Sequence, residues 1–163
     1  MSLLIAILSA NDASAAESSP YVSTRATTAA SAGGEGLAFL GSVGFGAEWD
    51  NGQSLGMRFI GVPNPPDTLW LKPGPYAAGP AIDWRWYIPV TDHFDMYPAA
   101  SFGVLYAPER GTNRNLLLPV AEGGFGTRFK LTGEQGSVWF APEFDIVPLA
   151  AAAAVSANFG MTF

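Results

Sequence analysis

In successive runs between position 37 and the last residue, large apolar side chains recur at every second position, with small or polar residues between them. One clear run places Leu55, Met57 and Phe59 in alternation with Gly56 and Arg58. A period of two indicates β-strands, because successive side chains of a strand point to opposite faces, whereas a helix repeats every 3.6 residues. The pattern predicts an all-β chain whose strands each have one apolar and one polar face.

Short turns and longer loops alternate along the chain. Short turn signals lie at Asp50–Gln53, Pro89–His93 and Thr132–Gly136, and longer connections lie near Gly33, Pro65, Arg110 and Leu149. Seven runs alternate clearly, and the weaker segment Tyr21–Ser31 supplies an eighth. Short turns at one end and longer loops at the other are typical of outer-membrane barrels, and an even strand number places both termini at the short-turn end.

Composition favours strands that cross a membrane. Charged residues make up 13% of the 163-residue chain, against about 25% in an ordinary soluble domain. No apolar run approaches the ~20 residues that a membrane-spanning helix needs, whereas a transmembrane strand needs only ~9–11. We therefore predict one closed, antiparallel, up-and-down transmembrane β-barrel of about eight strands.

The charged residues of the strands share the face opposite to the bulky apolar side chains. Since an eight-stranded lumen is only wide enough for ordinary side chains, we expect the bulky face to meet lipid and the small, polar face to line the lumen. Confined charges should pair, because an unpaired buried charge is costly. The predicted lumen cluster is Arg25, Glu48, Arg58, Asp83, Arg85, Asp95, Glu122, Arg128, Glu143 and Asp145. We expect these salt bridges to plug the lumen.

Aromatic residues lie near the predicted strand ends, where membrane barrels carry interfacial girdles. The predicted interfacial set is Trp49, Trp70, Tyr76, Trp86 and Tyr106.

The first residues resemble an export signal. A short apolar stretch is followed by small residues at Ala13 and Ala15, the pattern of a cleavage site, although no Lys or Arg precedes it. We expect residues 1–15 to be a signal peptide and residues 16–163 to be the barrel domain. A short buried segment is the alternative interpretation of residues 1–15.

The last run resembles the closing strand that the outer-membrane assembly machinery recognises. It has a terminal aromatic with hydrophobes at alternate positions behind it, namely Val155, Ala157, Phe159, Met161 and Phe163. With the export signal and the strand count, the chain resembles the small eight-stranded outer-membrane proteins of the outer-membrane protein A or X type. The resemblance implies location in a bacterial outer membrane, contact with its lipid and lipopolysaccharide, and insertion by the assembly machinery.

Two local features conflict with a regular barrel. Four prolines fall inside predicted strands, on the outward face, and proline usually marks a bulge or a strand end: Pro80, Pro98, Pro119 and Pro142. The alanine-rich segment Leu149–Ala154 has high helix propensity, so a short helix there is an alternative to strand.

Catalytic, metal and cofactor chemistry finds little support in the sequence. The one histidine, His93, lies in a short turn at the end opposite to the outer leaflet, and Asp92, His93 and Asp95 in one flexible turn would make a poor metal site. We assign no catalytic residue, metal or cofactor; a lipid-modifying enzyme is the low-ranked alternative. A net charge of −6 argues against nucleic acid as a partner.

The function expected from the sequence is a non-enzymatic structural or interaction barrel, whose loops meet lipid or an unknown protein partner. A narrow channel or porin for small solutes is the first alternative. A soluble, lipocalin-like barrel that binds an apolar ligand is the second.

Overall fold

The computed structural model describes residues 17–31, 37–65, 73–131 and 137–163, which are almost entirely β-strand. The strands are β1 (Ser18–Ser31), β2 (Leu37–Trp49), β3 (Gln53–Pro63), β4 (Tyr76–Trp86), β5 (Ile88–Thr91), β6 (Phe94–Pro108), β7 (Asn115–Lys130), β8 (Val138–Val147) and β9 (Ala152–Thr162). Within the described ranges, no helix is long and apolar enough to cross a membrane.

The sheet closes on itself. Neighbouring strands pair antiparallel, β1 pairs with both β2 and β9, and β4 pairs with β6. The short strand β5 follows β4 and pairs with the same neighbour, β6, so β4 and β5 together fill one position in the wall. The result is a barrel of eight positions, and the predicted closed antiparallel barrel is confirmed.

The first short turn is confirmed, and the second is shorter than predicted. Gly52 donates its N–H to the Trp49 carbonyl at 2.8 Å and has a φ of 80°, a conformation that glycine adopts without strain. The predicted connection Pro89–His93 is wrong in extent, because Ile88–Thr91 forms β5. The break between β4 and β5 falls at Tyr87, whose N–H donates to the Gly52 carbonyl at 2.7 Å. The third predicted turn, at 132–136, lies outside the described residues.

The four strand prolines lie in continuous strands on the outward face, as predicted. They occupy β4, β6, β7 and β8, and the pairing register is the same on both sides of each proline. The alternative interpretation, that they mark bulges or strand ends, is therefore wrong.

The alanine-rich segment before the last strand divides between two conformations. A single 3-10 turn covers Pro148–Ala150, and Ala151 then adopts a left-handed conformation with a φ of 45°. Strand β9 begins at Ala152. The helix alternative for this segment is therefore correct only for its first residues.

The two faces of the wall differ sharply in exposure. Bulky apolar side chains point outward, as illustrated by Phe102 and Leu117, which are 66% and 70% exposed. Nine arginine and carboxylate side chains of the strands point inward and are buried. An ordinary soluble domain has the opposite arrangement, since Lys, Arg, Asp and Glu are almost never fully buried unless they are paired.

Candidate functional site: the lumen

The predicted lumen charges all lie on the inward face. Nine of the ten are buried, and Glu48 is partly exposed, with 19% of its side-chain surface accessible. The structure divides them into two networks and adds one cation, Lys130, that the sequence analysis did not include.

The larger network is a closed cycle in which arginines and carboxylates alternate. Three arginines and three acids take part, so the cycle is formally neutral. We call it the charge ring, and in cyclic order its members are Arg25, Glu122, Arg58, Asp83, Arg85 and Glu143.

One half of the charge ring is centred on Arg58. Its Nη2 pairs with Glu122 Oε2, and its Nε lies 3.0 Å from Asp83 Oδ1. Arg85 Nη1 lies 3.7 Å from Asp83 Oδ2. The Arg58 guanidinium also donates from Nη2 to the Ser101 hydroxyl at 2.8 Å. These contacts connect β3 to β4, β6 and β7.

The other half is centred on Glu143 of β8. Its carboxylate lies 3.1 Å from Arg25 Nη1 and 3.4 Å from Arg85 Nε, and it accepts a hydrogen bond from the Tyr97 hydroxyl at 2.9 Å. Arg25 Nη1 then lies 3.6 Å from Glu122 Oε2, which closes the cycle. The ring therefore ties strands that do not neighbour one another in the wall.

Asp145 is attached to the ring rather than part of it. Its Oδ2 pairs with Arg25 Nη2 and accepts a hydrogen bond from the Ser156 hydroxyl at 3.0 Å. The same Arg25 Nη2 donates to Ser156 Oγ at 2.7 Å, so β1, β8 and β9 are joined at this point.

The smaller network, which we call the mouth cluster, lies nearer the short-turn end. Arg128 donates from Nη1 and Nη2 to the two Glu48 oxygens at 2.6 and 2.9 Å, and from Nε to Asp95 Oδ2 at 2.8 Å. Lys130 Nζ lies 3.2 Å from Asp95 Oδ1. The Arg128 guanidinium also lies 3.5 Å from the centroid of the Tyr87 ring, a cation–π contact.

Aromatic side chains also pack together in the lumen and contact both networks, since Tyr97 donates to Glu143 and Tyr87 lies against Arg128. Four of them point inward and are buried, namely Tyr21, Tyr87, Tyr97 and Trp139. Inward glycines make room for these rings: a Cβ at Gly126 would lie 2.5 Å from Tyr97, and one at Gly160 would lie 2.1 Å from Trp139. Each of these rings lies an even number of residues from an inward charge of the same strand or the strand just before it. The alternation in the sequence therefore already indicated the lumen face for them.

The lumen toward the long-loop end is apolar, which was also not predicted. Its buried cluster is Ile60, Val62, Ala77, Ala81, Leu105 and Ala107, against which Leu40, Leu118 and Val120 pack. Along β4 the inward residues run from Ala77 and Ala81 to Asp83 and Arg85, and Tyr87 follows at the break before β5. The lumen is thus layered as apolar cluster, charge ring and mouth cluster, and the aromatic rings contact the last two.

Packing around the charge ring is tight. A gap bordered by Asp145, by residues 99–101 and by five members of the ring, all except Arg58, admits no sphere the size of a water molecule. Because each buried arginine of the ring is ion-paired with carboxylates of other strands, the arrangement can hold the wall together across the lumen. Among the described residues, no group of three or more His, Asp and Glu side chains could hold a metal ion.

The other residues singled out from the sequence lie on the wall or in turns. Trp49, Tyr76, Trp86 and Tyr106 point outward at or near strand ends. The closing-strand residues Val155, Ala157, Phe159, Met161 and Phe163 also point outward, and the Phe159 and Phe140 ring centroids are 4.7 Å apart. His93 is exposed in the turn before β6, whereas Asp95 points into the lumen. Residues 1–15 and Trp70 lie outside the described residues.

Comparisons of sequence identify no relative. No family model matches the chain, and no curated protein is significantly similar to it.

Comparison of structures shows a shared fold. The chain is similar to Ail, the attachment invasion locus protein of Yersinia pestis, with a TM-score of 0.54, 12% identity, and coverage of 90% of this chain and 97% of Ail. It is similar to Neisserial surface protein A, with a TM-score of 0.57, 9% identity, and coverage of 89% and 95%. The N-terminal β-barrel domain of Pseudomonas aeruginosa OprF gives a TM-score of 0.59, 11% identity, and coverage of 90% and 100%. All three are small eight-stranded outer-membrane barrels.

Proposed function

We propose that this chain is a bacterial outer-membrane β-barrel with a structural or interaction role, that it is not an enzyme, and that salt bridges plug its lumen. The observation that carries the proposal is the inverted polarity of the wall. Charges such as Arg58 and Glu143 are buried inside, and side chains such as Phe102 and Leu117 are exposed outside.

An exposed apolar belt supports contact with lipid. Soluble monomers rarely expose contiguous apolar patches larger than a few hundred Å², yet outward rows of apolar residues pass around this barrel. One row runs from Met161 on β9 through Val22, Phe45 and Met57 to Ile82 on β4. Outer-membrane barrels carry such a band on the lipid side and polar groups in the lumen. The likeness to three outer-membrane barrels supports the same assignment.

The charge ring supports a plugged lumen. Its six side chains span the tube between opposite walls, and the packed apolar cluster lies on its long-loop side. An ion passing through would have to separate buried pairs, and breaking a buried pair costs about 3–5 kcal/mol. We therefore rank the closed barrel above the narrow channel.

The proposed partners follow from the wall and its ends. Outer-membrane lipid would cover the apolar belt, and lipopolysaccharide would meet cations of the long loops, such as Arg114. The outward residues of β9 would be read by the assembly machinery, and an unknown protein partner would dock at the loops. None of these contacts requires a nucleophile or a general base, which is consistent with a non-enzymatic role.

Membrane fractionation combined with gel electrophoresis tests this function. We expect recovery in the outer membrane, a mobility shift between heated and unheated samples, and single-channel recordings without a defined conductance. A defined conductance would support the narrow channel instead. Recovery in the soluble periplasm would overturn the proposal and favour a soluble barrel with an apolar ligand.

A further inference from the structure

The short-turn end of the barrel opens into a cavity of about 430 Å³. We call it the mouth cavity. The mouth cluster borders this cavity, and within the cluster Arg128 is bonded to Glu48 and Asp95. The lining of the cavity also includes Asp50 and Tyr87. Ligand pockets commonly have volumes of about 300–1,000 Å³ and occur in the mouths of β-barrels.

Apart from Asp95, which is paired with Arg128 and Lys130, opposite walls of the mouth cavity carry opposite charges. Strands β2 and β7 are four positions apart in either direction around the barrel, so they face each other across the lumen. Arg128 on β7 and Glu48 on β2 meet directly. Lys130 lies two residues beyond Arg128 toward the short turns, and Asp50 lies two residues beyond Glu48. A second pair of opposite charges is therefore placed closer to the mouth, with the cation again on the β7 side and the carboxylate on the β2 side.

The outer layer differs from the inner one in how its charges are satisfied. Lys130 Nζ contacts Asp95 Oδ1 at 3.2 Å, and its side chain is 29% exposed. An ammonium group has three N–H donors, so Lys130 retains donors for a further acceptor. Asp50 is exposed at the cavity, and the Glu48 carboxylate is partly accessible from it.

We infer that the mouth cavity binds a small zwitterion. The carboxylate of the ligand accepts hydrogen bonds from Lys130, and its ammonium group donates to Asp50 and Glu48. Tyr87 and Pro89, which also line the cavity, contact the apolar part between the two charges. Charge-assisted hydrogen bonds of this kind are about twice as strong as neutral ones.

A ligand of one sign fits the cavity less well than a zwitterion. An anion would gain Lys130 but face the carboxylates of Asp50, Glu48 and Asp95. A cation would gain Asp50 and Glu48 but face the ammonium group of Lys130. Charge complementarity therefore selects by repulsion as well as by attraction. This inference goes beyond the proposed function and does not depend on it, since the mouth cavity belongs to the barrel in any solvent.

Titration of the folded protein with 6-aminohexanoate tests the inference. Amide NMR shifts of the isotope-labelled protein in lipid nanodiscs report binding, and we expect saturation at Gly52 and Lys130 with a Kd on the order of 1 mM. The single-charge analogues 6-aminohexanamide and N-acetyl-6-aminohexanoate are the matched probes. Each should bind about tenfold more weakly or worse, because one charge-assisted hydrogen bond is lost.

Single substitutions identify the site. Lys130→Gln and Asp50→Asn should each weaken binding about tenfold, whereas Asp92→Asn, in an exposed turn outside the cavity, should leave it unchanged. The heat-dependent mobility shift checks that each variant is folded. Absence of saturable shifts, equal binding of the single-charge analogues, or an unaffected Lys130→Gln variant would overturn the inference. If the chain proves to be soluble, the same titration runs in buffer, so the two proposals fail separately.

Discussion

Arg128 on β7 and Glu48 on β2 join opposite walls of the barrel through two hydrogen bonds of 2.6 and 2.9 Å. The same guanidinium holds Asp95 and stacks on Tyr87. One side chain therefore braces three strands and the junction between β4 and β5. This arrangement makes Arg128 a sensitive position for stability.

We expect Arg128→Met to lower the free energy of unfolding by about 3–5 kcal/mol. Glu48 loses its buried cationic partner, and Asp95 loses one of its two cationic partners, Arg128 and Lys130. Urea unfolding in lipid vesicles, followed by tryptophan fluorescence, measures the change. Arg114→Met in the exposed loop is the matched control and should stay within about 0.5 kcal/mol. An Arg128→Met variant as stable as this control would contradict the bracing role.

The charge ring predicts energetic coupling between distant strands. Arg58→Met and Glu122→Gln should each destabilise the barrel, and the double variant should lose less than the sum, with a coupling energy of about 0.5–3 kcal/mol. The control is the double variant that combines Arg58→Met with Asp95→Asn, because Asp95 belongs to the mouth cluster. Its loss of unfolding free energy should equal the sum of the two single losses within about 0.5 kcal/mol. Additivity of the first pair in the same unfolding assay would show that the ring does not act as a unit.

Two glycines of β7 distinguish the lumen side from the lipid side. A Cβ at Gly126 would lie 2.5 Å from the Tyr97 ring, whereas one at Gly123 would meet nothing within 4 Å. We expect Gly126→Ala to cost about 1–3 kcal/mol through overpacking, and Gly123→Ala to be close to neutral. Equal unfolding free energies for the two variants would contradict the inward position of Tyr97.

The alternation of residues was sufficient to predict the closed barrel and the inward charges. Period two assigns each side chain to a face, and a shift of one residue would bury the whole apolar set, so the faces of β3 and β7 follow from the sequence alone. The same parity places Tyr97 with Asp95 and Trp139 with Glu143. These aromatics were not among the predicted lumen residues, because that set contained only charged side chains.

Individual ion pairs could not be predicted. Arg25 and Glu122 meet across the lumen from β1 and β7, which share no ladder, so their contact depends on strand tilt and stagger. The apolar cluster around Ile60 and Leu105 was missed for a related reason. Inward apolar residues at the long-loop end interrupt an otherwise polar face, and only the closed barrel brings them together.

The closing-strand proposal predicts a defect in assembly rather than in stability. Phe163→Ser removes an exposed outward aromatic, while the backbone N–H that donates to the Pro20 carbonyl remains. We expect reduced insertion into the outer membrane of living cells and unchanged folding into lipid vesicles. Leu131→Ser, an exposed apolar position outside β9, is the control. Equal insertion of the two variants would contradict a role for Phe163 as an assembly signal.

Fluorescence quenching by brominated acyl chains tests whether the bulky face of the wall meets lipid. Two variants would each keep one tryptophan and carry Phe at the other four positions: one keeps Trp84, which points outward from β4, and the other keeps Trp139, which is 3% exposed inside the lumen. We predict strong quenching of Trp84 and little quenching of Trp139. Quenching of neither, or stronger quenching of Trp139, would contradict the inside-out assignment.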